Sequence, residues 1–162
     1  MVSTKDFWEA NNVSLSYTER ARSGVMLAKK YLPPDALYTV LDLGSGACFL
    51  KSHLPTETEY IPVDIASPYP ETLLCDFNRD PLPTVQVKTT FMLGVFEYLT
   101  DCVRILNELK SKTNYLILTY DTRAVVTKRS NHYTHVQLRE ILKKSGWHLI
   151  HQHNFWFILE SR

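Results

Sequence analysis

Three aspartates and a pair of glycines carry the chemistry that this 162-residue sequence offers. Asp42 stands two residues before Gly44, and Gly46 follows after Ser45. Residues 38–43 are β-branched, aromatic and apolar apart from Asp42, the composition of a strand buried on both faces. Residues 47–54 are apolar and compatible with a helix. Strand, glycine turn and helix in that order build a ligand site at the carboxyl end of an α/β sheet. Glycine lets a ligand approach the backbone, and the helix start offers unpaired N–H groups. Asp64 closes a second short strand over 60–65, about 20 residues past Gly44, the distance at which a strand-tip carboxylate accepts hydrogen bonds from two ribose hydroxyls. Asp76 closes a third strand over 72–76 and is followed by Phe77. A carboxylate that accepts from an exocyclic amine, beside an apolar side chain over a ring face, suits an adenine.

The glycine loop excludes two nucleotide classes. A dinucleotide fingerprint needs G-x-G-x-x-G, and its third glycine, which lets helix and strand pack closely, is Phe49 here. A phosphate-binding P-loop is excluded because no Gly-Lys-Ser/Thr follows.

Composition bounds the rest. The length suits one domain, 1–162, and 44% apolar residues suffice for a single core. A formal net charge of +1 argues against a nonspecific polyanion binder. No apolar run approaches a membrane span, and the polar N-terminus is not a signal sequence. Cys48, Cys75 and Cys102 are odd in number and widely spaced, as reduced thiols of a cytoplasmic protein are.

The elements that must position the acids follow from periodicity. An N-terminal helical segment, 1–37, has Phe7 and Trp8 as early anchors and Ser16-x-x-Glu19 as a capping box. Ala21, Val25, Ala28 and Leu32 line one face of its helix, and Pro33-Pro34 stops it. The core, 38–162, alternates strands and helices. Pro62 implies that the second strand starts late or lies at an irregularity. A fourth strand runs over 87–95. Thr100 caps a helix with the stripe Cys102, Ile105, Leu106 and Leu109. A fifth strand, 114–120, a polar loop to Asn131, and a helix with Leu138, Ile141 and Leu142 inward follow. Gly146 ends that helix, and two strands, 147–151 and 155–159, close the chain as an antiparallel pair. His132-x-x-His135 and His151-x-His153 do not converge on one site by this layout, so no metal is expected. Lys128-Arg129 and Lys143-Lys144 read as solvated surface.

With these motifs in order, the chain resembles the class I S-adenosylmethionine-dependent methyltransferases from about Ser16 to its end. LDLGSGA resembles the family's first motif, VDI its second, CDF the segment that contacts adenine, and LGVFEYLTD its fourth-strand signature. Cys48 stands where a third glycine is usual. The resemblance implies a doubly wound, Rossmann-like α/β sheet in the order 3-2-1-4-5-7-6, mostly parallel with an antiparallel C-terminal strand. It also implies S-adenosylmethionine as cofactor and S-adenosylhomocysteine as product. By the same resemblance Asp42, Gly44, Ser45 and Gly46 lie along the methionine part, Asp64 and Ile65 at the ribose, Asp76 and Phe77 at the adenine, and Leu93 and Gly94 beneath the sulfonium.

Methyl transfer from a sulfonium is an in-line displacement with an activated leaving group, so alignment supplies much of the rate. A general base matters only where the acceptor must lose a proton. Glu97, on the rim after the fourth strand, and His132 and Tyr133, in a loop able to cover it, are the catalytic candidates. A small-molecule acceptor is expected over nucleic acid or protein, with room for a partner subunit and none for a membrane. Two other readings stay open: a non-catalytic binding or scaffold module on this fold, and a dinucleotide-dependent oxidoreductase.

Overall fold

The computed structural model describes residues 15–67, 69–122 and 130–161, and everything below concerns these. Phe7, Trp8 and the Lys128-Arg129 pair lie outside them. The elements are α1 (Leu15–Tyr31), β1 (Thr39–Leu43), β2 (Glu59–Asp64), β3 (Leu73–Leu74), β4 (Val87–Met92), α2 (Cys102–Lys110), β5 (Thr113–Thr119), α3 (His135–Lys144), β6 (Trp147–His153) and β7 (Trp156–Ser161). The strands form one sheet in the order β3-β2-β1-β4-β5-β7-β6. All neighbours are parallel from β3 to β5, and β7 runs antiparallel to both β5 and β6. Fold class, strand order and the antiparallel ending agree with the sequence expectation.

Successive residues of a strand face opposite sides, and the sheet is buried on both. Leu41, Leu43, Met92, Leu116, Leu118, Phe157 and Leu159 face α2 and α3, packing on Ile105, Leu106, Leu109, Leu138 and Leu142. Val40, Phe91, Ile117 and Ile158 face α1, packing on Ala21, Val25, Ala28 and Leu32. The continuous apolar runs in β1 and β5 therefore serve two cores at once. Among the described residues no helix is long and apolar enough to cross a membrane.

Several local expectations shift. The helix expected over 47–54 is a single 3-10 stretch, Phe49–His53. Eight residues ahead of Pro55 leave little length to recover the cost of nucleating an α-helix. The capping box at Ser16 is displaced, because α1 already includes Leu15 and Ser16 falls inside its first turn. The fourth strand ends at Met92 rather than Val95. Pro62 lies within β2 opposite Asp42. It is tolerated because β3 is only two residues long and reaches Val63 and Asp64 alone, leaving one side of β2 without a ladder at Pro62.

The cap of α2 is Asp101, whose Oδ1 accepts from the Arg104 N–H at 2.9 Å. Thr100 instead donates its N–H and its hydroxyl to Asn78 Oδ1. Asp101→Ala should therefore lose about 0.5–2 kcal/mol of stability to urea. A Thr100→Ala variant losing more than Asp101→Ala would return the cap to Thr100.

Candidate functional site

A cavity opens at the carboxyl ends of β1, β2 and β4. Its empty space, open solvent at the mouth included, is about 1070 Å³. Asp42, Gly44, Ser45 and Gly46 form one wall, Asp64 and Ile65 the tip of β2, Asp76 and Phe77 the turn after β3, and Leu93 and Gly94 the exit of β4. All ten residues assigned to cofactor contact by resemblance thus meet in one place. Tyr17 and Arg20 of α1, Asn78, Val95 and Tyr98 also line it.

Positive backbone torsions shape the loop after β1. Gly44 has φ +79°, and a Cβ there would lie 2.1 Å from Val95 Cγ2. Its N–H and that of Ser45 both donate to Val63 O, at 2.8 and 3.1 Å, holding the loop across the end of β2. Cys48 keeps the left-handed conformation, φ 55°, that a third glycine would adopt without strain. Ser45 Oγ is buried with no hydrogen-bond partner, which leaves it for a ligand or water.

The three acids differ in surroundings. Asp64 Oδ2 accepts from Gly46 N–H at 2.7 Å and Oδ1 from Ala66 N–H at 3.3 Å, so its carboxylate is already oriented between loop and strand. Burial raises its pKa, against the pull of those N–H groups. Asp76 Oδ1 accepts from Asn78 N–H at 3.0 Å, and Oδ2 lies 3.5 Å from Arg79 Nε. These local bonds are the ordinary satisfaction of a strand-end acid, and they use only part of each carboxylate's accepting capacity. Asp42 is the most enclosed. Burial pushes its pKa up to about 7; the hydroxyl of Tyr60, donating at 2.6 Å, acts the other way, and the Asp64 charge adds to the rise.

Side chains from α2 hold the Asp76–Phe77 turn. Arg104 donates to Phe77 O and, at 3.2 Å, to Asp80 O. Glu108 pairs with Arg104 at 2.6 Å and accepts the Leu82 N–H at 2.8 Å. Asn78 ties the turn to the β4 exit by donating to Tyr98 O at 3.0 Å. None of these was visible from spacing, because the partners lie roughly 20–30 positions apart. Arg104 and Glu108 were legible only as an i,i+4 pair on a helix surface.

The three catalytic candidates do not line the cavity. Glu97 is buried, its Oε1 3.5 Å from the Asp121 N–H, and its carbonyl accepts from Ser130 N–H. His132 is exposed. Tyr133 packs against the α2–α3 core, its N–H donating to the Tyr120 hydroxyl at 2.7 Å. Tyr120 in turn donates to the buried Asn131, whose amide donates to the carbonyls of Phe96 and Leu99. His151 stacks on Tyr31, and His135 lies edge-on to Phe157. Among the described residues no three His, Cys, Asp or Glu side chains converge as metal ligands.

A raised carboxyl pKa has a definite sign. Between about pH 4 and pH 7 native Asp42 holds a proton that the unfolded chain has released, so its contribution is full at low pH and is lost as pH rises through that window. The loss is on the order of 2–4 kcal/mol. Asp42→Asn keeps an acceptor for Tyr60 and removes the charge, so it should flatten the fall in stability between pH 5 and pH 8. Urea denaturation at both pH values checks this. Equal slopes in the two proteins would move the held proton elsewhere.

No family sequence model and no curated protein sequence matches this chain. Solved structures do. A SAM-dependent methyltransferase from Aquifex aeolicus is 19% identical with a TM-score of 0.62, covering 91% of this chain and 97% of its own. A Haloferax volcanii chain solved with the Trm112 methyltransferase activator is 19% identical with a TM-score of 0.69, covering 94% and 80%. The magnesium protoporphyrin IX methyltransferase of Synechocystis, solved with bound SAH, is 16% identical with a TM-score of 0.64, covering 99% and 87%. At such identities the likeness is one of architecture, and with the strand order it is sufficient for that: this chain has the Rossmann-like fold of the class I S-adenosylmethionine-dependent methyltransferases.

Proposed function

We propose that this protein is an S-adenosylmethionine-dependent methyltransferase acting on a small-molecule acceptor. The observation that carries the reading is the one cavity in which Asp42, Asp64, Asp76, Phe77 and the Gly44–Gly46 loop converge. The lining fits such a cofactor chemically. Acids stand on the β2–β3 side, where hydroxyls and an exocyclic amine can donate to them. Ser45 Oγ is a buried polar atom without a partner, and the walls between are apolar. Of the neighbours, the O-methyltransferase NcsB1 is solved with a dihydroxynaphthoic acid and SAH, at 15% identity and a TM-score of 0.65; this chain spans 61% of its length.

In this reading Asp64 accepts from the ribose hydroxyls, Asp76 from the adenine amine with Phe77 over the ring, and the β1 loop lies along the methionine part. Leu93 and Gly94 form the floor beneath the sulfur. Bound S-adenosylmethionine supplies an activated methyl group. The protein's part is to align and to exclude water, for which apolar walls and a loop braced on Val63 are suited. No histidine stands among the described residues of the lining.

Calorimetry should show binding of S-adenosylhomocysteine and S-adenosylmethionine and none of NAD. Asp64→Ala should weaken S-adenosylhomocysteine by about 2–4 kcal/mol, since hydrogen bonds to charged groups are worth roughly 1.5–3 each and do not add fully. Unchanged affinity in a folded Asp64→Ala protein would remove Asp64 from the site.

The small-molecule acceptor rests on charge. A net charge of +1 leaves no electrostatic footprint for phosphate backbones. Fluorescence anisotropy against structured RNA and duplex DNA at physiological salt should show no submicromolar binding. Tight binding that weakened steeply with salt would transfer the acceptor to nucleic acid.

A further inference from the structure

Tyr60 reaches the cavity from behind its wall. On β1, Val40 and Asp42 share a face, and Tyr60 stands opposite Val40 on β2. Its ring packs in the core under α1, and its hydroxyl extends two residues along to donate to Asp42 Oδ2 at 2.6 Å. Asp42 lines the cavity and is 4% exposed, whereas Tyr60 is not among the described lining residues. The residue that holds Asp42 thus stands outside the surface a ligand touches.

Two enclosed carboxylates share this end of the sheet, and they are held unequally. Asp64 accepts from two backbone amides, Gly46 N–H at 2.7 Å and Ala66 N–H at 3.3 Å, while the donor to Asp42 is the Tyr60 hydroxyl. Facing Asp42 are Tyr60 and Asp64 from β2 and Cys48 from the loop after β1; β4 sets the uncharged Phe91 opposite it. Asp76, Tyr17, Tyr98 and Arg20 are the further titratable groups of the described lining. Burial, and then the Asp42 charge, raise the Tyr60 pKa above its ordinary value, so the hydroxyl is a fixed donor. Cys48, in place of a third glycine, brings its thiol within hydrogen-bonding reach of that hydroxyl. A thiol donating to the phenolic oxygen leaves the phenolic proton for Asp42. Asp42, raised to about 7 by burial, is then the group whose charge changes near neutral pH.

We propose that Tyr60 is a positioning residue that tunes the ionisation of Asp42 from outside the cavity, so that the nucleoside cofactor binds with release of a proton. This rests on the methyltransferase reading above. The carboxylic acid of Asp42 loses its proton to solvent as a ligand bearing an ammonium enters, and the carboxylate left behind is held by the Tyr60 hydroxyl. Linkage gives the sign: affinity rises with pH while Asp42 of the free protein holds its proton, and levels off once it is ionised. Removing the hydroxyl removes a bond to the charged form, so the carboxyl gives up its proton only at higher pH.

The test is calorimetry of S-adenosylhomocysteine from about pH 5 to about pH 8, in buffers of different ionisation enthalpy so that released protons are counted. Wild type should tighten by up to about 10-fold per pH unit at the acid end and release close to one proton there. Tyr60→Phe should carry the bend of the curve upward by about 0.5 to 1 pH unit, weakening binding about 3- to 10-fold at the acid end, as the loss of one hydrogen bond to a charged group requires. 3-Fluorotyrosine placed at position 60 keeps the shape, makes the hydroxyl a better donor, and should move the bend the other way. Asp42→Asn should bind with little dependence on pH. Circular dichroism and melting at each pH control for folding. A bend that stays in place in both position-60 variants overturns the inference, since a merely structural tyrosine would change affinity alike at every pH. An Asp42→Asn protein that keeps the wild-type slope also overturns it, moving the proton to Asp64. Wild type that binds equally well at every pH overturns this inference alone. Wild type that binds neither S-adenosylhomocysteine nor S-adenosylmethionine at any pH overturns the methyltransferase reading and this inference with it.

Discussion

The hydrogen bond from Gly46 N–H to the Asp64 carboxylate, at 2.7 Å, joins the loop after β1 to the tip of β2. Together with the two N–H groups of Gly44 and Ser45 on Val63 O, it closes the end of the sheet into a fixed wall. The bonds require three residues of one short loop to turn their amides toward the neighbouring strand. That turn demands the left-handed torsions of Gly44, Gly46 and Cys48. Two are glycines, which adopt them freely; Cys48 accepts a cost that a non-glycine residue meets in this region. Val95 then fills the space above Gly44, so the β1 loop and the β4 exit are shaped against each other.

Electrostatics follows from that enclosure. Drawing two strand-end carboxylates into a wall of apolar side chains disfavours their charged forms, which is why burial raises Asp42 and Asp64. Hydrogen bonds from Tyr60 to the one and from backbone amides to the other offset part of the penalty. A site in this state carries unspent affinity for a ligand that brings hydroxyl or ammonium donors, since these favour the charged carboxylates without further movement of the protein. The cost to stability is that of burying two carboxylates whose hydrogen bonds offset only part of their desolvation.

The far side of the cavity is built differently. The turn bearing Asp76 and Phe77 belongs to a strand of two residues, too short to fix anything alone. Its position is set by Arg104 and Glu108 reaching across from α2 and by Asn78 bridging to Tyr98 and Thr100. The ladder between β1 and β2 fixes one wall, and side chains of a helix fix the other.

The sequence by itself determined the alternation of strands and helices, because strands buried on both faces announce themselves as continuous apolar runs and the strand tips carry their acids beside the turns; the order of the sheet followed only from the resemblance of its motifs to those of the methyltransferase family. Asp42, Gly44, Asp64 and Asp76 were legible for the same reason: each sits at a fixed offset from a strand whose end is visible locally. What only the tertiary structure decided depends on distance in the chain. Glu97 reads as an acid on the correct rim, yet the 3-10 turn Phe96–Tyr98 carries it into the protein, where it meets Asp121 and Ser130 rather than the cavity. Tyr133 reads as a loop residue able to cover a site, yet Tyr120 and Asn131 draw its backbone down onto the core. Arg20 reads as one more charge on an amphipathic helix; only the close packing permitted by Gly24, and the missing side chain of Gly94 more than 70 positions later, place its guanidinium inside the cavity. Local periodicity fixes which way a strand or helix faces, whereas the side chains that complete a site come from elements brought together by packing.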